Sequence, residues 1–315
     1  MKKLEIKKNH HYVPASYLKA WSKNNSDVFH TTAKNKVVRG SIKGISKEID
    51  FYKMTTLSTH HIDVVKLVAS YSPAHLREVH MAVINDFHKI QNIEAFYKNC
   101  CHPHQDLDAR INTLKSNSME NIYAADERDF FSILNCIKDR DFNCLRGDRE
   151  LSVFFSYIGH QFTRTKRFKD AFLNTERMKA EPEYRKLYCE SWFLISYILG
   201  VSYGYSLFAT KESRHICFLV NETEEPFITS DHPIINLLGV GGFTDSEFER
   251  SEPYYPLSPS IAVVIGGSSG FKRGCNKIGS DVALKLNKML ASQSHTYIVG
   301  VDEGQLKILN KHRRT

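Results

Sequence analysis

Residues 192–220 read WFLISYILGVSYGYSLFATKESRHICFLV, and the change of character inside this stretch decides the fold. Trp192–Val201 is apolar almost throughout but too short to cross a bilayer, so it reads as a buried helix. From Tyr205 onward the apolar runs become short and rich in β-branched residues. They are His215–Val220 (HICFLV), Pro226–Ser230 (PFITS) and Pro259–Gly267 (PSIAVVIGG). Turn chemistry separates them, notably NETEEP at 221–226 and the Gly239–Gly242 cluster, which reads as a loop. A helix over Ser280–Ser292 and a strand over Thr296–Val301 follow, and the basic tail KHRRT is expected to fray.

On the other side of the boundary the period is helical. Ile62–Tyr97 repeats Val65, Val68, Val79, Val83, Phe87 and Ile90 on one face, with Pro73 dividing it into two helices. A break at Cys100–Pro103 precedes helical patterns over Leu107–Lys138, Glu150–Phe172 and Glu183–Leu199. Before them, Pro14 closes the extended HHYV and opens a short helix carrying Tyr17, Leu18 and Trp21. Asp27–Thr32, Lys36–Ile42 and Glu48–Tyr52 read as three strands of one small sheet beside that helix. The class is therefore α+β, in one domain over 1–315. Its N-terminal strands and short helix (1–55) and its β-rich end with one helix (205–315) bracket a helical middle (56–204), and the two sets of terminal strands are candidates for a common sheet.

Composition narrows the setting. Hydrophobic residues make up 42% and charged residues 25%, the balance of a chain with a packed core. Seven cysteines, an odd number with no C-x-x-C pair, argue against a disulfide framework or a zinc knuckle. The Lys-rich start lacks a signal-peptide core. A reduced, cytoplasmic protein away from the membrane is the expectation. The net charge of +8 and pI of about 9.0 fit either a polyanionic partner such as nucleic acid or an inert basic surface.

No phosphate-cradling, dinucleotide, nucleophile-elbow or H-E-x-x-H motif is present. The chemistry-bearing candidates lie in scattered polar stretches. His10 and His11 precede Tyr-Val-Pro, and a His there can serve as general base, metal ligand or phosphate contact. Gln161 and Arg164, spaced i, i+3, project from one face of a helix otherwise lined by Phe154, Phe155, Ile158 and Phe168. Such a pair either anchors a buried carboxylate or holds a substrate phosphate in a planar fork. Ser230-Asp231 ends an apolar strand, where Asp231 can bind a metal, orient a histidine or simply make an Asx-turn before Pro233. Glu120 stands in SMENIY as a further acid candidate.

Five short motifs occur in order: HYVP, Q-x-x-R-T, F-I-T-S-D-x-P, P-L-S-P (Pro256–Pro259) and the Leu286–Asn287 pair. This order resembles the family catalogued as domain of unknown function 4238, found in bacteria and fungi, across essentially the whole chain. The resemblance implies that His11, Gln161, Arg164, Ser230, Asp231 and Asn287 belong to the family pattern, while His10 and His232 lie outside it. It brings no established activity.

A polar signature points either to one convergent site or to a buried hydrogen-bond network. Two functions follow. The first is a hydrolase directed at nucleic acid, RNA above DNA, with His11 as general acid or base, in a toxin or phage-defence setting suggested only by association. In it, Arg164 with Lys166, Arg167 and Lys169 holds the phosphate, Asp231 and Glu120 orient His11, and Gln161, Ser230 and Asn287 position substrate. If a divalent metal takes part, His11, Asp231 and Glu120 are its ligands. The second is a non-catalytic protein that binds nucleic acid or an acidic partner, with the polar set as structure.

Overall fold

The helical middle owes its shape to glycine as much as to its apolar stripes. Asp148–Thr163 (α5) and Trp192–Ala209 (α9) lie against each other so closely that a Cβ on Gly159 would sit 2.2 Å from the Gly200 carbonyl oxygen. One on Gly204 would sit 2.7 Å from the Phe155 carbonyl oxygen. Only residues without a side chain allow this approach. It also carries α9 past Tyr205, where strand character was expected to begin. At 18 residues α9 is long and apolar enough to cross a membrane by length and composition, yet 56% of it is buried inside the protein.

The computed structural model describes residues 5–100, 102, 104–239, 251–268 and 270–313. Thr59–Ser70 (α2) and Ala74–Cys100 (α3) flank Pro73 as expected, and Gln105–Lys138 (α4) follows the next break. The pattern over 150–172 is two helices rather than one. Arg164 ends α5, and Lys166–Leu173 (α6) restarts with the Thr165 hydroxyl accepting from the Phe168 amide. Glu176–Ala180 (α7) and Pro182–Glu190 (α8) lead into α9.

The N-terminal strands are Asn9–His11 (β1), Asp27–Thr31 (β2), Val37–Ser41 (β3) and Lys47–Ile49 (β4), with the short helix Ala15–Leu18 (α1) between the first two. They do not form one sheet. β4 pairs with β1, while β2 and β3 join C-terminal strands in the order β3-β2-β11-β6, where β6 is Thr229–Ser230 and β11 is Ile298–Gly300. The two ends of the chain therefore do share a sheet, and the α+β class holds.

A second sheet has the order β10-β5-β9-β8-β7, built from His215–Asn221 (β5), Ile235–Asn236 (β7), Pro253–Ser258 (β8), Ile261–Gly266 (β9) and Gly274–Ile278 (β10). Alternate residues face different cores. Phe218, Tyr255, Leu257, Ile261, Val263 and Ile265 meet the helical layer, whereas Cys217, Leu219, Tyr254, Ala262 and Val264 meet the helix Ser280–Gln293. With both faces covered, the strands read as continuous apolar runs.

Strand β8 lies outside the runs read as strands, and its Pro253 and Pro256 are unusual in an inner strand. The strand survives because β7 pairs only with Pro253 and Tyr254, and the ladder to β9 shifts register between Pro256 and Ser258. The Pro256 carbonyl is satisfied by the Tyr17 hydroxyl at 2.6 Å. Of the tail, residues 311–313 are held rather than frayed, and 314–315 lie outside the described residues. Helix Glu303–Leu309, capped by Asp302, leads to Arg313, whose guanidinium bonds Thr31, Asn310 and the Thr296 carbonyl. The Gly239–Gly242 cluster lies, beyond Gly239, outside the described residues.

Candidate functional site

Helix α4 places Glu120, Tyr123, Glu127 and Phe130 at steps of three and four, so they form one stripe. That stripe meets the end of α5, where Arg164 is only 2% exposed. Its Nη1 donates to Glu127 Oε1 at 2.8 Å, while Nε and Nη2 both donate to Gln161 Oε1. Gln161 Nε2 in turn donates to the Tyr12 carbonyl at 3.0 Å, tying α5 to the HYVP segment. The guanidinium sits 5.2 Å from the Tyr123 ring centre, and its own carbonyl accepts from the Tyr52 hydroxyl. Burial works against its charge, but Glu127 together with Tyr157 and Tyr52 outweighs it and raises its pKa above the ordinary value.

Arg164 thus anchors the partly buried Glu127 carboxylate, and each of its three nitrogens is engaged. The expected phosphate fork is not open. Glu127, which the sequence reading passed over, lies seven residues beyond Glu120, a two-turn spacing that could have nominated it.

Around this pair sit groups in a different condition. Burial pushes the Glu120 carboxyl up to about 7, against the pull of Arg164, with Glu127 adding to the rise. The His11 backbone amide lies against this carboxyl, but its Oε2 has no partner among the described residues. His11 Nε2 is buried and unpartnered in the same sense, and burial lowers the pKa of its ring. Asp126 is pushed up to about 6, again by burial. His160 lies 3.5 Å from it, yet burial and Arg164 push that ring down to about 3, so the contact joins a neutral imidazole to a carboxyl rather than an ion pair.

His10, by contrast, is fully engaged. Its Nδ1 accepts from the Tyr52 amide at 2.8 Å, which leaves Nε2 to donate to the Lys7 carbonyl.

The C-terminal candidates form a separate clamp. Asp231 Oδ1 accepts from the His295 amide, and Oδ2 accepts from those of Thr296 and Tyr297. Burial raises its pKa, and the three amides oppose the rise. Ser230 bonds the amide and carbonyl of His232. Asn287 accepts from the Ile228 amide and donates to the Pro226 carbonyl and the Glu225 carboxylate. Asp231 therefore does not orient His11; it holds the approach to β11.

Lys166 pairs with Glu48 at 3.0 Å, and Lys169 lies over the Phe51 ring. Arg167 is half-buried, and burial together with its charge pushes His232 down to about 3. His11, Asp231 and Glu120 are not brought together as one ligand group: among the described residues no three or more His, Cys, Asp or Glu are placed to hold an ion.

The structure thus brings together His11, Glu120, Gln161 and Arg164, and it sets Ser230, Asp231 and Asn287 apart. No curated protein and no solved structure matches the chain. One family model does, that of the protein of unknown function DUF4238, over residues 9–194 and 203–304. The match spans nearly all of the chain, and the protein belongs to this family.

Proposed function

We propose that the protein is a hydrolase directed at nucleic acid, with RNA the favoured substrate, and that His11 and Glu120 are its acid–base pair. One observation carries this reading: two neighbouring residues each present a buried polar atom without a partner among the described residues, beside an arginine whose charge is already fixed. Unsatisfied buried groups cost stability, and folds retain them where they serve chemistry. With its pKa lowered, His11 is neutral near pH 7 and can take a proton through Nε2. Glu120, at about 7, is about half protonated there and can give one.

In hydrolysis His11 removes a proton from water as the water oxygen bonds to phosphorus. Glu120 donates its proton to the ester oxygen as the P–O bond breaks. Arg164 and Gln161 are positioning residues, fixing the α5 terminus against the Tyr12 carbonyl. The net charge of +8 supports a polyanionic substrate.

Labelled RNA, single-stranded DNA and duplex DNA, each with and without EDTA, test the proposal. Cleavage of RNA that fades as pH rises through about 7, as Glu120 loses its proton, is expected. Cleavage that keeps rising through that range would remove Glu120 as the acid.

A second reading is favoured by a separate observation. Arg164, Ser230, Asp231 and Asn287 are all engaged in internal hydrogen bonds, as a non-catalytic binding protein with a buried polar network requires. Salt-sensitive binding of RNA that survives loss of His11, with no cleavage, would establish it.

A further inference from the structure

A cleft of about 550 Å³ opens on another part of the molecule, between the 3-10 turn Phe142–Leu145, the start of α5 and the edge formed by β5 and β10. None of its lining residues belongs to the His11–Glu120 group. Its volume is that of a small-molecule site.

The lining divides by chemistry. One wall is apolar: Phe142 stacks on Phe218 with ring centres 4.4 Å apart, flanked by Leu145 and Ile216. The lining carries four cations, Arg146, Lys211, Arg214 and Arg273, against two acids, Asp148 and Glu212. Two of the cations are committed. Lys211 pairs with Asp148, and Arg214 is buried, donating to the Ser251 carbonyl and the Thr210 hydroxyl.

The other two are available. Arg146 makes no ion pair or hydrogen bond through its side chain among the described residues. Arg273 donates from Nη2 to the Glu212 and Arg214 carbonyls, at 3.2 and 3.3 Å. That contact holds the planar group in place and leaves Nε and Nη1 unused among the described residues. Gly274 follows Arg273 with a φ of 88°, one a glycine adopts without strain. A guanidinium held in this way suits a phosphate, which accepts two parallel N–H bonds.

From this arrangement we infer that the cleft binds a 5′-phosphorylated nucleotide. The phosphate meets Arg146 and Arg273, and the base lies along the Phe142–Leu145–Ile216 wall. An inorganic phosphate would leave the apolar wall uncovered, and a nucleoside would leave the two arginines without an anion. The inference does not rest on the proposed hydrolase activity.

The test is equilibrium binding, followed by calorimetry. The ligands are adenosine and uridine 5′-monophosphates, adenosine, inorganic phosphate, and a tetraribonucleotide with or without a 5′-phosphate. The mononucleotides should bind at least about tenfold more tightly than adenosine or inorganic phosphate. Arg146→Gln and Arg273→Gln should each weaken them about tenfold. Both side chains are exposed, so these variants should melt like the parent. His11→Gln should bind as the parent does, which separates this site from the hydrolase proposal.

A phosphorylated tetranucleotide that matches or exceeds the mononucleotides identifies a strand end as the source. Mononucleotides alone identify a free ligand. No binding at millimolar concentration, adenosine binding as tightly as its monophosphate, or unaltered binding by both arginine variants would each overturn the inference.

Discussion

The α4–α5 cluster and the C-terminal clamp are built from the same kinds of residue, yet the hydrogen bonds separate them. In the clamp, both Asp231 oxygens and both polar ends of Asn287 have backbone partners. In the cluster, Arg164, Gln161 and Glu127 satisfy one another, while His11 Nε2 and Glu120 Oε2 find no partner among the described residues. A polar motif in a sequence therefore does not separate chemistry from scaffold. The proposed division rests instead on the partners that each buried atom finds in these two regions.

Substitutions can break this comparison. The largest stability loss is expected from Arg164→Ala, which strands Glu127 beside the core at a cost of about 3–5 kcal/mol in denaturant unfolding. Asp231→Ala comes next. It leaves three amides without an acceptor, and a loss of at least about 3 kcal/mol is expected by the same measurement. Gly159→Ala forces the α5 and α9 backbones apart and should cost about 1–3 kcal/mol, read as a lowered melting temperature.

Glu120→Gln is the smallest effect and carries the opposite sign. A carboxyl whose pKa is raised on folding binds its proton more tightly in the folded state. The parent therefore loses stability as pH rises from about 4.5 to about 7. The variant lacks this loss, so it should gain about 1–2 kcal/mol on the parent across that window and no more above it. A flat difference from pH 4.5 to 7 would place Glu120 with the satisfied groups.

Much of the fold was legible. Helical period and Pro73 placed α2, α3 and α4, and β-branched runs placed β2, β5 and β9, because each pattern depends on residues close in sequence. What escaped depends on distant partners. Strand β8 tolerates its prolines because β7 is short and Tyr17 reaches the Pro256 carbonyl. Helix α9 continues past Tyr205 because Gly159 and Gly204 face it and α5 across the contact. The Gln161–Arg164 pair was readable from its spacing, whereas Glu127 meets Arg164 only through a fold that brings α4 to α5.

The most direct test pairs RNA turnover with thermal unfolding in four variants. His11→Gln and Glu120→Gln should lose at least about 100-fold in cleavage while keeping the parent's melting temperature or exceeding it. Asp231→Ala and Asn287→Ala should melt earlier and, where still folded, cleave at the parent's rate. Cleavage unchanged in the first pair, or abolished in folded protein of the second, would contradict the division between site and scaffold.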